Sequence, residues 1–164
     1  MNALVIDVFE FCRLKDRQEG EVAVADLPRL ASEVAGDSGV IIWSLQGGSD
    51  NAGHPRLLLE ISGAVKLSCQ RCLGSLDFAI SSSAKLVIAT DEEEADRIDE
   101  VLADDDTDVI VGTKTLLILD LIEDEALLSI PASVKHDICP DAGSAVLDAV
   151  KKPSAFAALK DLKR

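Results

Sequence analysis

Aromatic side chains are scarce in this chain. Four Phe, one Trp and no Tyr make 3% of it, so any core must rest on Leu, Ile, Val and Ala. Apolar residues still fill 48% of the 164 positions, which excludes wholesale disorder and suffices for one ordinary domain with a core. Long hydrophobic runs are missing. Charge interrupts each apolar stretch well before the ~18 residues of a membrane span, so no transmembrane helix is expected. Met1 to Asp7 show no basic region leading into an apolar run, the pattern of a secretory signal. A cytoplasmic location is the resulting expectation. A nucleophile elbow, a phosphate-binding glycine loop, an HExxH pair and the residue order of an EF-hand are all lacking, and no internal repeat is visible.

Basic residues are the scarcer charge. Sixteen Lys and Arg stand against thirty Asp and Glu, for a formal net charge of −14. Positions 91–108 alone hold eleven acids against Arg97. The last fourteen residues reverse the sign, with Lys151, Lys152, Lys160, Lys163 and Arg164 against Asp161. Affinity for nucleic acid comes chiefly from cations that displace phosphate counterions, so this chain is a poor generic RNA or DNA binder. It is better matched to a basic partner, and ribosomal proteins are abundant basic proteins. An acidic run is also the ordinary composition of a solvated segment.

What is present reads as α+β. Leu4–Phe9 suggests a short strand. Asp26-Leu27-Pro28 opens a helix to about Ala35, with Asp26 as its cap. Val40–Leu45 reads as a buried strand and Gly47–Asn51 as a turn or mobile loop. Leu57, Leu59, Ile61, Val65 and Leu67 alternate with polar neighbours, and Leu76, Phe78, Ile80, Leu86 and Ile88 repeat the pattern. These two strands predict an antiparallel hairpin with Ser68–Ser75 at its tip. A helix starting at Thr113 or Thr115 ends before Pro131, its leucines Leu117, Leu121, Leu127 and Leu128 forming the apolar stripe. The organisation predicted is a single α+β domain over 1–150, an antiparallel sheet or partial barrel with packed helices. Residues 91–108 would be a mobile acidic insertion or a frayed acidic helix, and 151–164 a short basic amphipathic helical tail.

Four cysteines and two histidines carry the chemistry. Cys69-Gln70-Arg71-Cys72 and His136-Asp137-Ile138-Cys139 each set two metal-type side chains three positions apart. Thiolate and imidazole are zinc's usual structural ligands, and Cys69, Cys72, His136 and Cys139 would fill a closed tetrahedral site. One structural zinc is the cofactor this set suits. Metal-free thiols near a functional surface are the competing reading. A thioredoxin-like motif needs Cys-x-x-Cys at the start of a helix, whereas a strand follows here. Cys12 reads as a small buried apolar residue and His54 as exposed.

Two stretches together carry a family resemblance. Leu67-Ser68-Cys69-Gln70-Arg71-Cys72-Leu73, followed by an alternating strand, is one. Asp120-Leu121-Ile122-Glu123-Asp124-Glu125-Ala126-Leu127-Leu128-Ser129-Ile130-Pro131, followed by His136 and Cys139, is the other. They resemble the YceD family, described as large ribosomal RNA subunit accumulation proteins. Asp26–Leu30 and Pro153–Leu159 also look like family features. Ala126 departs from the pattern, standing where a larger aliphatic residue is commoner. The resemblance implies a non-enzymatic role in synthesis, processing or accumulation of 23S rRNA. The implied partner is a basic large-subunit ribosomal protein or a 23S rRNA precursor, with no membrane and no small-molecule substrate. Arg71, Glu123, Asp124 and Glu125 are the expected contact residues, the three carboxylates forming an acidic docking face. The rival reading is a thiol-redox or metal-dependent RNA-processing enzyme built on the Cys69/Cys72/His136/Cys139 cluster.

Overall fold

The computed structural model describes residues 4–36, 38–102 and 106–140. In chain order the elements are β1 (Val5–Ile6), α1 (Val8–Leu14), β2 (Arg17–Ala23), a 3-10 turn (Val24–Asp26), α2 (Pro28–Glu33), β3 (Val40–Ser49), β4 (Pro55–Ser68), β5 (Ser75–Ala89), α3 (Glu92–Val101), β6 (Thr107–Val111), β7 (Leu116–Leu117) and α4 (Ile118–Ser129). Strands β2-β3-β4-β5-β6 form one mixed sheet, and β1 pairs with β7 in a small antiparallel one. The fold is α+β, as the alternating segments predicted.

The long β4–β5 hairpin dominates the sheet. Its register runs from Arg56 opposite Val87 to Ser68 opposite Ser75, which puts the Cys69–Gly74 turn at its tip. Leu57, Leu59, Ile61, Val65 and Leu67 are buried on one face, joined by Trp43, Leu45, Ile80, Leu86 and Ile88. Helix α1 packs on β3 and β4, and α4 on β4 and β5. Gly47 permits the first contact: a Cβ there would lie 2.5 Å from the Phe11 carbonyl oxygen. Gly47 and Gly48 therefore belong to β3 rather than to a loop. The turn comes later, where the Asp50 carboxylate accepts the N–H groups of Ala52 and His54.

Several expectations are corrected. Only Val5–Ile6 of the predicted first strand is extended, because the Asp7 carboxylate accepts the N–H groups of Phe9 and Glu10 and starts α1. In the acidic stretch, expected as a mobile insertion or a frayed acidic helix, Glu92–Val101 form a helix and Thr107 opens an edge strand. Asp91 caps α3 by accepting the Glu94 N–H at 2.8 Å, and three glutamates fill the first turn, where the helix dipole favours negative charge. Ile98, with Ala95 and Leu102, then packs on Val87, Ala89 and Val109 across the far face of the sheet. This crossover lets β6 pair parallel to β5, so the sheet is mixed rather than antiparallel, and it is not closed into a barrel. On α4 the buried apolar positions are Ile118, Ile122 and Ala126, one every four residues, whereas Leu128 is exposed. The small side chain of Ala126 is fully enclosed there. The tail predicted over 151–164 lies outside the described residues. No helix among the described residues is long and apolar enough to cross a membrane.

Candidate metal centre

Cys69 and Cys72 stand at the tip of the β4–β5 hairpin. His136 and Cys139 come from the segment that follows α4. The Gln70 N–H donates to the Val134 carbonyl at 2.8 Å and stitches this second segment against the first. Within the tip, the Cys69 N–H donates to Gly74 O and the Leu73 N–H to Cys69 O. That tight turn holds Leu73 at φ +60°, in the left-handed region. The four ligand atoms all lie within 4.8 Å of one another.

The separations suit zinc. With Zn–S near 2.3 Å and Zn–N near 2.0 Å, a tetrahedral site has S···S edges of about 3.8 Å and S···N edges of about 3.5 Å. Cys69 Sγ and Cys139 Sγ are 3.9 Å apart, and Cys72 Sγ is 3.4 Å from His136 Nδ1. The other ring nitrogen, Nε2, lies 3.2 Å from the Ser75 carbonyl oxygen. A carbonyl only accepts, so Nε2 is the donor in that contact and Nδ1 is the ring nitrogen that faces the thiols. An outer hydrogen bond of this kind fixes the tautomer that a metal requires. Cys69, Cys72, His136 and Cys139 could hold one metal ion, and the predicted set is the set that converges.

The backbone prepares Cys69 to be a thiolate. Burial opposes its charge, but the N–H groups around it, those of Arg71 and His136 at 3.4 Å among them, outweigh burial and bring its pKa down to about 5. Burial, then the neighbouring sulfurs of Cys72 and Cys69, push the Cys139 thiol up. Crowded sulfurs repel one another's charge, and a cation at the centre reverses that repulsion. The Cys-x-x-Cys pair lies between two strands, away from any helix N-terminus. Cys12 is apart from the cluster and buried, its Sγ donating to the Arg56 carbonyl at 3.3 Å. His54 is half-buried rather than exposed, its Nδ1 2.9 Å from Asp50 Oδ2.

The expected acidic face does not exist as a unit. Adjacent helical residues point about 100° apart, so three consecutive carboxylates cannot share one surface. Glu123 is only 4% exposed. Its Oε1 accepts the N–H groups of Arg29 and Leu30 at 2.6 and 3.1 Å, and its Oε2 meets Arg29 Nε at 2.7 Å. It caps α2 across 94 positions of sequence, the task expected of Asp26, and is not available to a partner. Asp124 is exposed and pairs with Arg29 Nη1 at 2.6 Å. Glu125 turns to the sheet and accepts from the Ser82 hydroxyl. Arg71, the other expected contact residue, is exposed at the hairpin tip beside the cluster. Two further residues there escaped the sequence reading. Leu73 and Ile138, each following a cysteine or preceding one, are 77% and 87% exposed. Their signal was their position beside Cys72 and Cys139.

The family model described as Large ribosomal RNA subunit accumulation protein YceD matches residues 57–163. That span starts at the β4–β5 hairpin and takes in both halves of the cluster and α4. No curated protein and no solved structure matches the chain. With the match extending over most of its length, the chain belongs to the YceD family.

Proposed function

We propose that this protein is a non-catalytic, cytoplasmic ribosome-biogenesis factor that supports the accumulation of 23S rRNA by binding a large-subunit component. The family description supports the ribosomal RNA role. The observation that carries the binding mode is the cluster itself. Its four side chains complete a tetrahedral shell, so a zinc held there has no open position for substrate or water. A metal held by Cys69, Cys72, His136 and Cys139 would staple the hairpin tip to the segment after α4. What the staple displays is a surface containing Arg71, Leu73 and Ile138. A basic large-subunit ribosomal protein is favoured over a 23S rRNA precursor, because a net charge of −14 repels phosphate.

The test is recovery of large-subunit proteins and 23S rRNA precursors with the tagged full chain from a growing cell. The wild type recovers large-subunit material, and an Arg71→Ala/Leu73→Ser/Ile138→Ser variant recovers less. Equal recovery by the variant removes the tip as a contact, and no recovery by the wild type removes the function. The rival, a thiol-redox enzyme, draws on the low pKa of Cys69. That sulfur's residue is fully buried, however, and a redox thiolate must be reached by its substrate.

A further inference from the structure

One face of the main sheet packs on α1 and α4, while the opposite face is covered by α3 only at the Val87 and Ala89 end. The remainder is open. It forms a trough of about 930 Å³. Two rows of paired residues set its surface: Glu21, Ile42, Ser62 and Ser81 across β2 to β5, then Glu19, Ser44, Glu60 and Ser83. In the intervening row, Gly20, Trp43, Ile61 and Ser82, the three side chains lie on the other face of the sheet.

The trough has a regular chemistry. Glu19 and Glu21 stand along one wall, and Glu60 stands two strands away on the other. Between them β3 supplies a floor of Ser44 and Ile42, an apolar side chain left 59% exposed in the middle of a polar sheet face. Glu19 meets Arg17 at 3.1 Å and Glu60 accepts from the Ser44 hydroxyl at 3.3 Å, whereas Glu21 has no ion-pair partner among the described residues. Carboxylates two residues apart on one strand repeat at about 7 Å, the spacing of alternate side chains in any extended chain.

We propose that this trough is the docking site for an extended, lysine- or arginine-rich segment of a protein. The segment lies along the strands, its alternate cations facing Glu19 and Glu21 and one apolar side chain resting on Ile42. A second copy of this chain is a poor occupant, since it would set carboxylates against carboxylates. The inference rests on the reading above that the partner is a basic large-subunit protein, and it assigns that partner a place away from the metal tip.

The test uses the full chain and a fluorescein-labelled synthetic peptide of alternating lysine and serine with a single isoleucine, followed by fluorescence anisotropy. Glu19→Gln/Glu21→Gln/Glu60→Gln weakens the complex by about tenfold, the sum expected of two exposed ion pairs and the nearby Glu60 charge. Glu92→Gln/Glu93→Gln/Asp96→Asn removes the same charge from α3 and weakens it by less than about threefold, because screening limits distant charges. The trough variant also loses large-subunit protein in the recovery experiment. Equal weakening by both variants reduces the effect to net charge and overturns the trough, as does failure of both the wild type and Lys160→Gln/Lys163→Gln to bind the peptide. Peptide binding that appears only after Lys160→Gln/Lys163→Gln assigns the trough to the chain's own basic tail and overturns the partner. Selective peptide loss in the trough variant, with no large-subunit protein recovered by the wild type, upholds the trough and removes the biogenesis partner. Should the triple variant fail to fold, Glu21→Gln alone carries the comparison.

Discussion

Replacing Glu123 by Ala should destabilise the fold by about 2–4 kcal/mol while leaving the exposed surface almost unchanged. The figure follows from what the carboxylate touches. Losing the acceptor at the start of α2 costs about 0.5–2 kcal/mol, the usual range for a helix cap. The Leu30 N–H, bonded at 3.1 Å in a buried setting, loses its partner, which costs about 1–3 kcal/mol. The ion pair with Arg29 adds under about 1 kcal/mol, because the guanidinium is half exposed and screened by solvent. Glu123→Gln keeps one acceptor oxygen and should lose about half as much. Guanidinium denaturation followed by Trp43, the single and buried tryptophan, measures both. The pH dependence supplies a second readout. Burial alone would raise the Glu123 carboxyl, but the Leu30 N–H and then the Arg29 side chain and N–H outweigh it and hold it below the ordinary carboxylate range. A depressed native pKa means that the stabilisation is complete above the unfolded value, about 4.3, and fades as pH falls through the native one. The stability gap between wild type and Glu123→Gln should therefore be constant near neutrality and shrink in acid. A loss below about 0.5 kcal/mol for Glu123→Ala, the range of an ordinary surface substitution, would refute the capping role and return this residue to the surface.

Protein purified without a metal-affinity tag should carry one zinc per chain by native mass spectrometry, lost to a chelator together with a lowered Tm, and Cys69→Ser should not retain it. Metal-free protein with unchanged Tm would leave the cluster as four thiols. Ile98→Ala should cost about 2–4 kcal/mol, the range for an enclosed isoleucine, whereas a true linker would lose almost nothing in the same denaturation. Gly47→Ala should cost about 1–3 kcal/mol, since its new methyl group must displace α1 from β3, and an unchanged midpoint would show that the Phe11 carbonyl yields freely.

The parts of the fold that could be read ahead were those whose signal is local and periodic. Alternation at Leu57, Leu59 and Ile61 marked β4, and two alternating runs around a short polar stretch marked the hairpin that carries Cys69 and Cys72. The cluster was legible because zinc chemistry restricts the ligands to a few residue types, and the chain offers few of them. The parts misread or left unassigned depend on distant residues. Arg17–Ala23 is an edge strand with Gln18, Glu19, Gly20 and Glu21 at its centre, a composition that looks like a loop until β3 pairs with it. Helix α3 buries little besides Ala95, Ile98 and Leu102, so its acidic face swamped its apolar one. Val8–Leu14 is rich in β-formers, and a single carboxylate at Asp7 tipped it to helix. Glu123 sat in an acidic run like its neighbours, and only the arrival of α2 beside α4 distinguishes it.

The two halves of the cluster are also separated in time. Cys72 and His136 lie 64 positions apart, so at ordinary elongation rates about 3–13 s pass between their syntheses. During that interval the hairpin tip offers two sulfurs, which would be an incomplete shell for a metal. A full set of four ligands would exist only once α4 has been made and docked, carrying His136 and Cys139 to the tip. A metal retained there would thus record that the chain has been completed through the cluster and folded.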